Sequence, residues 1–554
     1  MDPRPALVDL SGSTHHRRGA HLLVGLLAAD VLVMAVLAYN PAWWYGFVGT
    51  ALGACALLVL LWRRDAVSTR LVLVLGIVFR IAFLPLPPVL SDDAYRYVWD
   101  GLLQLEGINP YAFRPEDPAL AAYQQEPLFE RLNSASYYSV YPPLSQFVFA
   151  FGGLFYEWGW AASYYAIKSV FAAMEMAGVW MLARMVAPRD LMLYAWHPLA
   201  LVETAGQGHT EAAAVLFLAV AVWFVRRSSP VGASLALAAA GLVKLYPFVL
   251  LPLLGRRFGA RGLWPGLALA AVACLPYASA EAAAHVGASL RLYVQLFEFN
   301  AGPYYAVKEV LRGITGQDWS KTLGPAFGGL YGVGLLVLYV LDARRKWSFA
   351  RSACWALGAF FVCSTTVHPW YLLVVLPLAV LVAPPAWGWL WLAAWSIGTY
   401  LFYVGGPYWG AVALGWGGAA LLALRSYGAP MLQALMRRRA AKKAARIRPA
   451  LEKLTPTSEP PAVLDLGAGE GYVGAHLQRT TGAAVTLADV VDLNRTSLPH
   501  VVYDGRTLPW ASDRFDARGL YYVLHHCADP RRVVQGALRV SRGGVIVVES
   551  TYRS

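Results

Sequence analysis

Residues 71–101 read LVLVLGIVFRIAFLPLPPVLSDDAYRYVWDG. An apolar run long enough to cross a bilayer as helix ends in a proline cluster, and two adjacent acids, an arginine and three aromatic rings follow at once. Charged groups close to a membrane are costly and mark function by default. The fold and the chemistry both follow from what this junction is.

The rest of the chain repeats the first half of the pattern. Of its 554 residues 58% are hydrophobic and 14% charged, against roughly a quarter charged in soluble proteins, and its mean hydropathy is +0.47. Apolar stretches of about 16–25 residues recur from Ala20 to Arg425, the length of membrane-crossing helices. The fold class expected is a polytopic α-helical membrane protein with about 11–14 membrane helices. The N-terminus lacks a short apolar core with a cleavage site and reads as a tail, residues 1–19, rather than a signal peptide. The five cysteines show no metal or redox spacing and read as packing residues. The net charge of +13 sits in short runs between apolar spans, which argues for orientation signals and against nucleic acid.

Those basic runs are HHRR at 15–18, RRDAVSTR at 63–70, RR at 226–227, RRFGARG at 256–262, DARRKWSFAR at 342–351 and MRRRAAKKAARIR at 436–448, and they mark the cytoplasmic side. Spans near 20–40, 46–62 and 69–86 then leave the chain outside at Pro87, so residues 87–142 form a large outer loop. Spans near 191–205 and 210–226 form a hairpin whose outer turn holds GQGHTE. Residues 229–256 are basic at both ends and are expected to be two half-length helices broken at Lys244-Leu245-Tyr246-Pro247. A second outer loop covers about 279–325, HPWY at 368–371 lies outside, and both termini lie in the cytoplasm. Residues 143–187 hold two apolar segments where parity wants an odd number of crossings, so one of them is expected to be partial. Trp43, Trp44 and Trp409 read as interface anchors.

The polar features therefore share the outer side. Ser91 is placed to cap a helix starting at Asp92 and Asp93, and Asp93, Arg96, Tyr97 and Asp100 fall on one face of it. Gly107-Ile108-Asn109-Pro110-Tyr111 is a turn, and NSASYYSVYPPLSQ at 133–146, with Tyr141, returns the chain to the membrane. An ionised acid there can take the proton of an acceptor hydroxyl, while Lys244, Arg96 and His368 can neutralise a departing phosphate. This combination suits glycosyl transfer from a lipid-phosphate sugar. Two alternatives stay open at this stage: a transporter or flippase whose acids gate a polar substrate, and a protein whose principal activity lies in its C-terminal domain.

SDDAYRYVWDGLLQLEGINPYAF, YPPLSQ, WHPLALVETAGQGHTEA, GLVKLYPFVLLP and HPWY, in that order over residues 20–430, resemble the GT-C superfamily of integral-membrane glycosyltransferases, in its polyprenol-phosphate-mannose-dependent mannosyltransferase-like branch. The resemblance implies an inverting hexosyltransferase with a polyprenyl-phosphate sugar donor, a glycan or lipid acceptor and membrane lipids as partners. It also implies an extracytoplasmic site in a bacterial plasma membrane. It maps the base onto Asp93, with Asp92 as rival. Substrate or phosphate contacts are expected among Arg96, Tyr97, Asp100, Asn109, Tyr111, Tyr141, Gln207, His209, Lys244, His368 and Tyr371. The resemblance leaves metal dependence open, since it varies in the superfamily and no ligand set in the sequence settles it.

Residues 431–460 read as a basic, proline-containing linker. Beyond it PAVLDLGAGEGYVGAHL gives a strand, glycines 467, 469 and 471 and a helix, and VTLADVVD ends a second strand at Asp489. Together with YDGRTLPW and Asp504 these resemble class I S-adenosylmethionine-dependent methyltransferases, over residues 461–554, with a Rossmann-like α/β fold in the cytoplasm. The resemblance implies that Asp465 and Gly467, Gly469 and Gly471 flank the methionine part of S-adenosylmethionine, Asp489 the ribose and Asp504 the adenine. The chain stops soon after the fifth strand signal, so the domain is expected to be incomplete.

Overall fold

Proline decides where the apolar stretches become separate helices. In the computed structural model, which describes residues 11–295, 297–455 and 459–549, helices begin at Pro143, Pro188, Pro198 and Pro230, the first-turn position where a missing N–H costs nothing. The chain divides into two compact units, residues 1–423 and 424–554.

In the first unit, four helices among the described residues are long and apolar enough to cross a membrane: Gly19–Leu37, Pro41–Arg64, Trp160–Leu182 and Ser320–Arg345. Two bent pairs, Pro198–Gly206 with Glu211–Arg226 at 118° and Tyr246–Gly262 with Trp264–Tyr277 at 94°, raise this to six if each is one span. The stretches that the sequence counts as about 11–14 spans thus take the form of a few long helices and several short ones, among them Pro230–Val243 and Pro369–Leu381, which begin at proline, and Phe349–Val362, which begins after a Ser348 cap. The ambiguous stretch 143–187 resolves by length. Trp160–Leu182 has 23 residues, whereas Pro143–Gly153 has 11 and spans about 16 Å, half a hydrocarbon core. The break at Lys244 is present: helix Pro230–Val243 ends there, Lys244 is extended at φ −142° and ψ 137°, and a 3-10 turn follows over Tyr246–Leu250.

The two stretches expected to be outer loops are folded. Helix Asp93–Leu105 follows the proline cluster and is buried on all sides from Ala94 to Leu103. It crosses Pro143–Gly153 so closely that a Cβ on Gly101 would lie 2.2 Å from the Phe149 carbonyl oxygen, and one on Gly153 would lie 2.7 Å from that of Gly101. Small residues permit such backbone contact. Residues 279–325 carry helices Ala280–Gln295 and Gly302–Thr315 and the start of Ser320–Arg345.

Basic loops meet one another. Arg189 pairs with Asp65 at 3.0 Å, Trp62 Nε1 donates to Asp190 at 2.7 Å, and Arg226 donates to the Met185 carbonyl at 2.9 Å. Arg256 and Arg257 both bind Asp342, the latter at 2.7 Å. Deeper, Arg80 grips Glu175 through two hydrogen bonds of 2.5 and 2.6 Å and donates to the carbonyls of Gly76 and Ala195, tying helices Thr69–Phe83 and Trp160–Leu182 together. Trp44 differs from expectation. It is 3% exposed and packs in the core beside Tyr400, whereas Trp43 and Trp409 are 48% and 60% exposed.

The second unit holds a five-stranded parallel sheet in the order β3-β2-β1-β4-β5, with β1 Ala462–Leu466, β2 Ala484–Asp489, β3 His500–Val502, β4 Phe515–Tyr521 and β5 Ser541–Val548. This is the doubly wound arrangement, whose ligand crevice lies at the carboxyl ends of the central strands. The expected linker 431–460 is instead largely helix, Ala429–Leu454, and belongs to this unit. Its Ala440, Ala444, Ile447 and Leu451 are buried, the last three beside Leu477 and Val485. Their spacing of four, three and four residues is one helical stripe, which the surrounding basic residues obscure in the sequence.

A buried ion pair broken on one side leaves an uncompensated charge, at a cost of about 3–5 kcal/mol. Glu175→Leu is therefore expected to lower the unfolding midpoint of the detergent-solubilised protein sharply. The double variant with Arg80→Met should recover most of that loss, and additive losses would show that the pair does not hold the bundle.

Candidate functional sites

Helix Asp93–Leu105 presents its first turn to a cavity of about 460 Å3 whose wall includes Asp92, Asp93, Arg96, Tyr141, His368 and Trp370. Ser91 Oγ accepts the Asp93 N–H at 3.3 Å, so the helix starts one residue later than the acid pair suggests. Burial pushes the Asp93 carboxyl up to about 6, against the pull of Lys244 and of the Tyr141 hydroxyl that hydrogen-bonds it. Burial raises Asp92 as well.

The expected residues separate into three groups. Asp92, Asp93, Arg96, Tyr141 and His368 line the cavity. Tyr97, His209, Lys244 and Tyr371 form a layer behind it. Lys244 Nζ lies 3.1 Å from Glu211 Oε1 and 5.3 Å from the ring centres of both Tyr141 and Tyr371, so it balances carboxylates rather than standing open to a phosphate. Tyr97 Oη lies 3.4 Å from His209 Nδ1, and the His209 ring stacks on Trp370 at 4.1 Å.

Asp100, Asn109, Tyr111 and Gln207 stand outside the cavity wall and spend their polar groups on the chain itself. Asp100 is fully buried and accepts from Arg96 Nε at 2.7 Å, Ser139 Oγ at 2.5 Å and Gln146 Nε2 at 2.9 Å. Arg96 also donates to the carbonyls of Ser134 and Tyr137, at 3.2 and 2.8 Å. Asn109 donates to the Tyr277 carbonyl at 3.1 Å, and the Tyr111 hydroxyl donates to the Tyr141 carbonyl. Gln207 accepts from Leu90 N at 3.0 Å and donates to the Pro87 carbonyl at 3.3 Å, which straps the proline cluster to the 202–210 break.

Sequence reasoning missed three side chains. Glu211 stood within the GQGHTE motif, and an acid there needs a cation in reach; Lys244 at the helix break is that cation. Trp370, within HPWY, stacks against His368 at 4.4 Å with planes 2° apart. Glu203 is fully buried, accepts the Tyr400 hydroxyl at 2.7 Å and lies 3.4 Å from His209 Nε2; no sequence signal singles it out. His368 Nδ1 and Trp370 Nε1 are buried with no hydrogen-bond partner among the described residues. Among those residues no cluster of three or more His, Cys, Asp or Glu side chains is arranged to hold a metal ion.

In the second unit, Gly467, Gly469 and Gly471 have φ of +74°, +53° and +77°, a backbone region that favours glycine. A Cβ on Gly469 would meet no atom within 4 Å, so the loop is open there. Asp489, at the end of β2, accepts the Gly469 N–H at 2.7 Å and so joins the glycine loop. Asp504 accepts the N–H groups of Arg506 and Thr507 at 2.8 and 2.7 Å, and these bonds hold its carboxyl below the usual range. Burial pushes the Asp465 carboxyl beneath the loop up to about 7.

Residues 11–259 match the family described as Alpha-(1->6)-mannopyranosyltransferase, N-terminal domain, and residues 464–548 match the Methyltransferase domain family. No curated protein and no solved structure is significantly similar. The two matches identify a GT-C-type membrane mannosyltransferase domain fused to a methyltransferase domain, and the chain is an enzyme of the transferase class.

Asp465 keeps its proton to higher pH folded than unfolded, so ionisation at higher pH disfavours the folded form. Its effect is a loss of stability as pH rises from about 4 to about 7. Asp465→Asn is expected to raise the unfolding midpoint of the C-terminal unit more at about pH 8 than at about pH 5. Equal gains at both would show that the carboxyl is not desolvated.

Proposed function

We propose that residues 1–423 transfer mannose from a polyprenyl-phosphate donor to a glycan or lipid acceptor, with inversion, on the extracytoplasmic face, and that Asp93 is the general base. The observation that carries this reading is the Asp93 carboxylate in the cavity wall, with Tyr141 hydrogen-bonded to it and Lys244 acting on it from behind. With its carboxyl raised to about 6, Asp93 is ionised near neutral pH yet basic enough to take a proton, the balance that general-base catalysis needs.

The step balances without a covalent intermediate. Asp93 accepts the proton of the acceptor hydroxyl while that oxygen bonds to the sugar's anomeric carbon from one face. The bond from that carbon to the phosphate oxygen breaks on the other face, and the lipid phosphate leaves with the electron pair. Arg96 is the cation in the wall that meets the growing negative charge. The unpartnered His368 Nδ1 and Trp370 Nε1 are polar atoms in the same wall suited to sugar or phosphate oxygens. Lys244 holds Asp93 ionised, and Glu211 keeps Lys244 in place.

The contacts among the basic loops support an orientation with those loops in the cytoplasm and the cavity outside. The second unit then faces the cytoplasm, where its glycine loop, Asp465 and Asp489 fit S-adenosylmethionine: the loop is open at Gly469 and the acid that closes it is already in place. That cofactor supplies an activated methyl group.

Asp93→Asn is expected to lower sugar transfer from a radiolabelled lipid-linked mannose in vesicles by about 10²–10⁴-fold while the protein still inserts. Retained turnover would move the base to Asp92 or end the model of catalysis. In the wild type, kcat/KM should rise as pH passes through about 6, and a flat profile across that range argues against an aspartate base. Ala122, exposed in the 87–142 loop, gives a test of sidedness. In a background lacking Cys274, Ala122→Cys should react with an impermeant maleimide added outside intact cells, and reaction only after permeabilisation reverses the orientation.

A further inference from the structure

A second cavity of about 790 Å3 opens beside the first, within the size range of small-ligand clefts. Tyr305 and Trp409 form an aromatic wall, facing Glu298, Lys308, Glu309 and Arg312. The cavities share a short segment of chain. Phe297 lines the first, Glu298 and Phe299 line the second, and Phe299 stacks on His368, a wall residue of the first, at 4.8 Å. The segment is held by a parallel bridge from Phe299 to Thr366, two residues before His368.

Helix Gly302–Thr315 fixes where this cleft lies. Val307, Val310 and Ile314 are exposed on one stripe, at 40%, 61% and 76%, while Lys308, Glu309 and Arg312 fall on the opposite side of the wheel. A helix with such a stripe suits a membrane interface with the stripe towards lipid, which leaves the cleft on its polar side. Gly405, at φ +72°, turns the chain into helix Tyr408–Ala423, whose second residue is Trp409.

The lining chooses among ligands. Lys308 is bound to Glu298 at 2.7 and 2.9 Å, and Arg312 lies 3.9 Å from Glu309, so the cations and acids of the cleft cancel. A lipid phosphate finds no surplus cation there. A polyol, whose hydroxyls both donate and accept, finds both kinds of partner beside flat apolar rings. Interface anchors turn their polar ends to headgroups or water, but Tyr305 and Tyr408 turn theirs on each other at 3.2 Å, and Tyr408 accepts the Asn300 N–H at 2.6 Å. These tyrosines are therefore braced as a surface.

We propose that this cleft is an acceptor subsite that binds an uncharged oligosaccharide, holding sugar units remote from the reacting end while that end lies in the Asp93 cavity. The inference rests on reading residues 1–423 as a sugar transferase, and it adds where a long acceptor is held.

The test is equilibrium binding of α-(1→6)-linked mannohexaose and mannobiose to the full chain in lipid nanodiscs. The wild type is expected to bind the hexaose more tightly than the biose. Trp409→Ala should weaken hexaose binding about tenfold and shrink the difference between the two, while Trp409→Phe, which keeps an aromatic face, should retain most of it. Wild-type protein that binds both saccharides alike, or Trp409→Ala that binds the hexaose as the wild type does, overturns the subsite. A loss for both saccharides alike in Trp409→Ala that Trp409→Phe shares also overturns it, since that is the result of a general structural role. Asp93→Asn separates the two readings: it should bind hexaose normally while sugar transfer falls by about 10²–10⁴-fold. Normal hexaose binding with retained transfer in Asp93→Asn defeats the assigned base and leaves the subsite standing.

Discussion

A carboxylate taken out of water must be given donors or a cation, and the first unit is arranged around that requirement. Asp100 is fully buried and receives three hydrogen bonds, from Arg96, Ser139 and Gln146. Because those donors come from its own helix, from the returning lip and from the next helix, meeting the demand of one carboxylate joins three pieces of chain. Arg96, held in place by Asp100, then reaches back to the Ser134 and Tyr137 carbonyls and forms part of the cavity wall. With the Tyr111 hydroxyl on the Tyr141 carbonyl and Tyr138 stacked on His285, these bonds fix the course of the stretch 133–146 over the site.

The same logic links the two halves of the membrane unit. The mannosyltransferase family match ends at residue 259, yet His368, Trp370 and Tyr403 stand in the cavity wall with Asp92 and Asp93. The ring stack from His209 through Trp370 to His368 and Phe299 joins the early polar break to segments far later in the chain. The cavity is thus a product of the whole unit. In the second unit a smaller version of the scheme operates, with Asp489 bonded to the glycine loop above Asp465.

Much of this was legible in the sequence, and the reasons are specific. The Lys244–Pro247 break, the helix after the proline cluster and the strand–glycine–helix motif are local, carried by proline, glycine and periodicity. The inward stripe of helix Ala429–Leu454 was also local, but alanines within a basic run hide it from composition. What could not be read was pairing at long range. That Asp100 belongs to Ser139 and Gln146, that Gln207 straps Leu90, and that Glu211 meets Lys244 depend on which segments are adjacent, and apolar spans all look alike in that respect. Trp44 illustrates the limit, since a tryptophan at a span end looks the same whether it meets lipid or core.

The contact of Gly101 with Gly153 has a consequence for how this enzyme can vary. Asp93 lies eight positions before that crossing on one continuous helix, about 12 Å along its axis. Its placement depends on two main chains touching there, beside the Tyr97–Phe149 stack and the Gln104–Gln146 hydrogen bonds. A single added methyl at either glycine would push the two helices apart and carry the carboxylate with them.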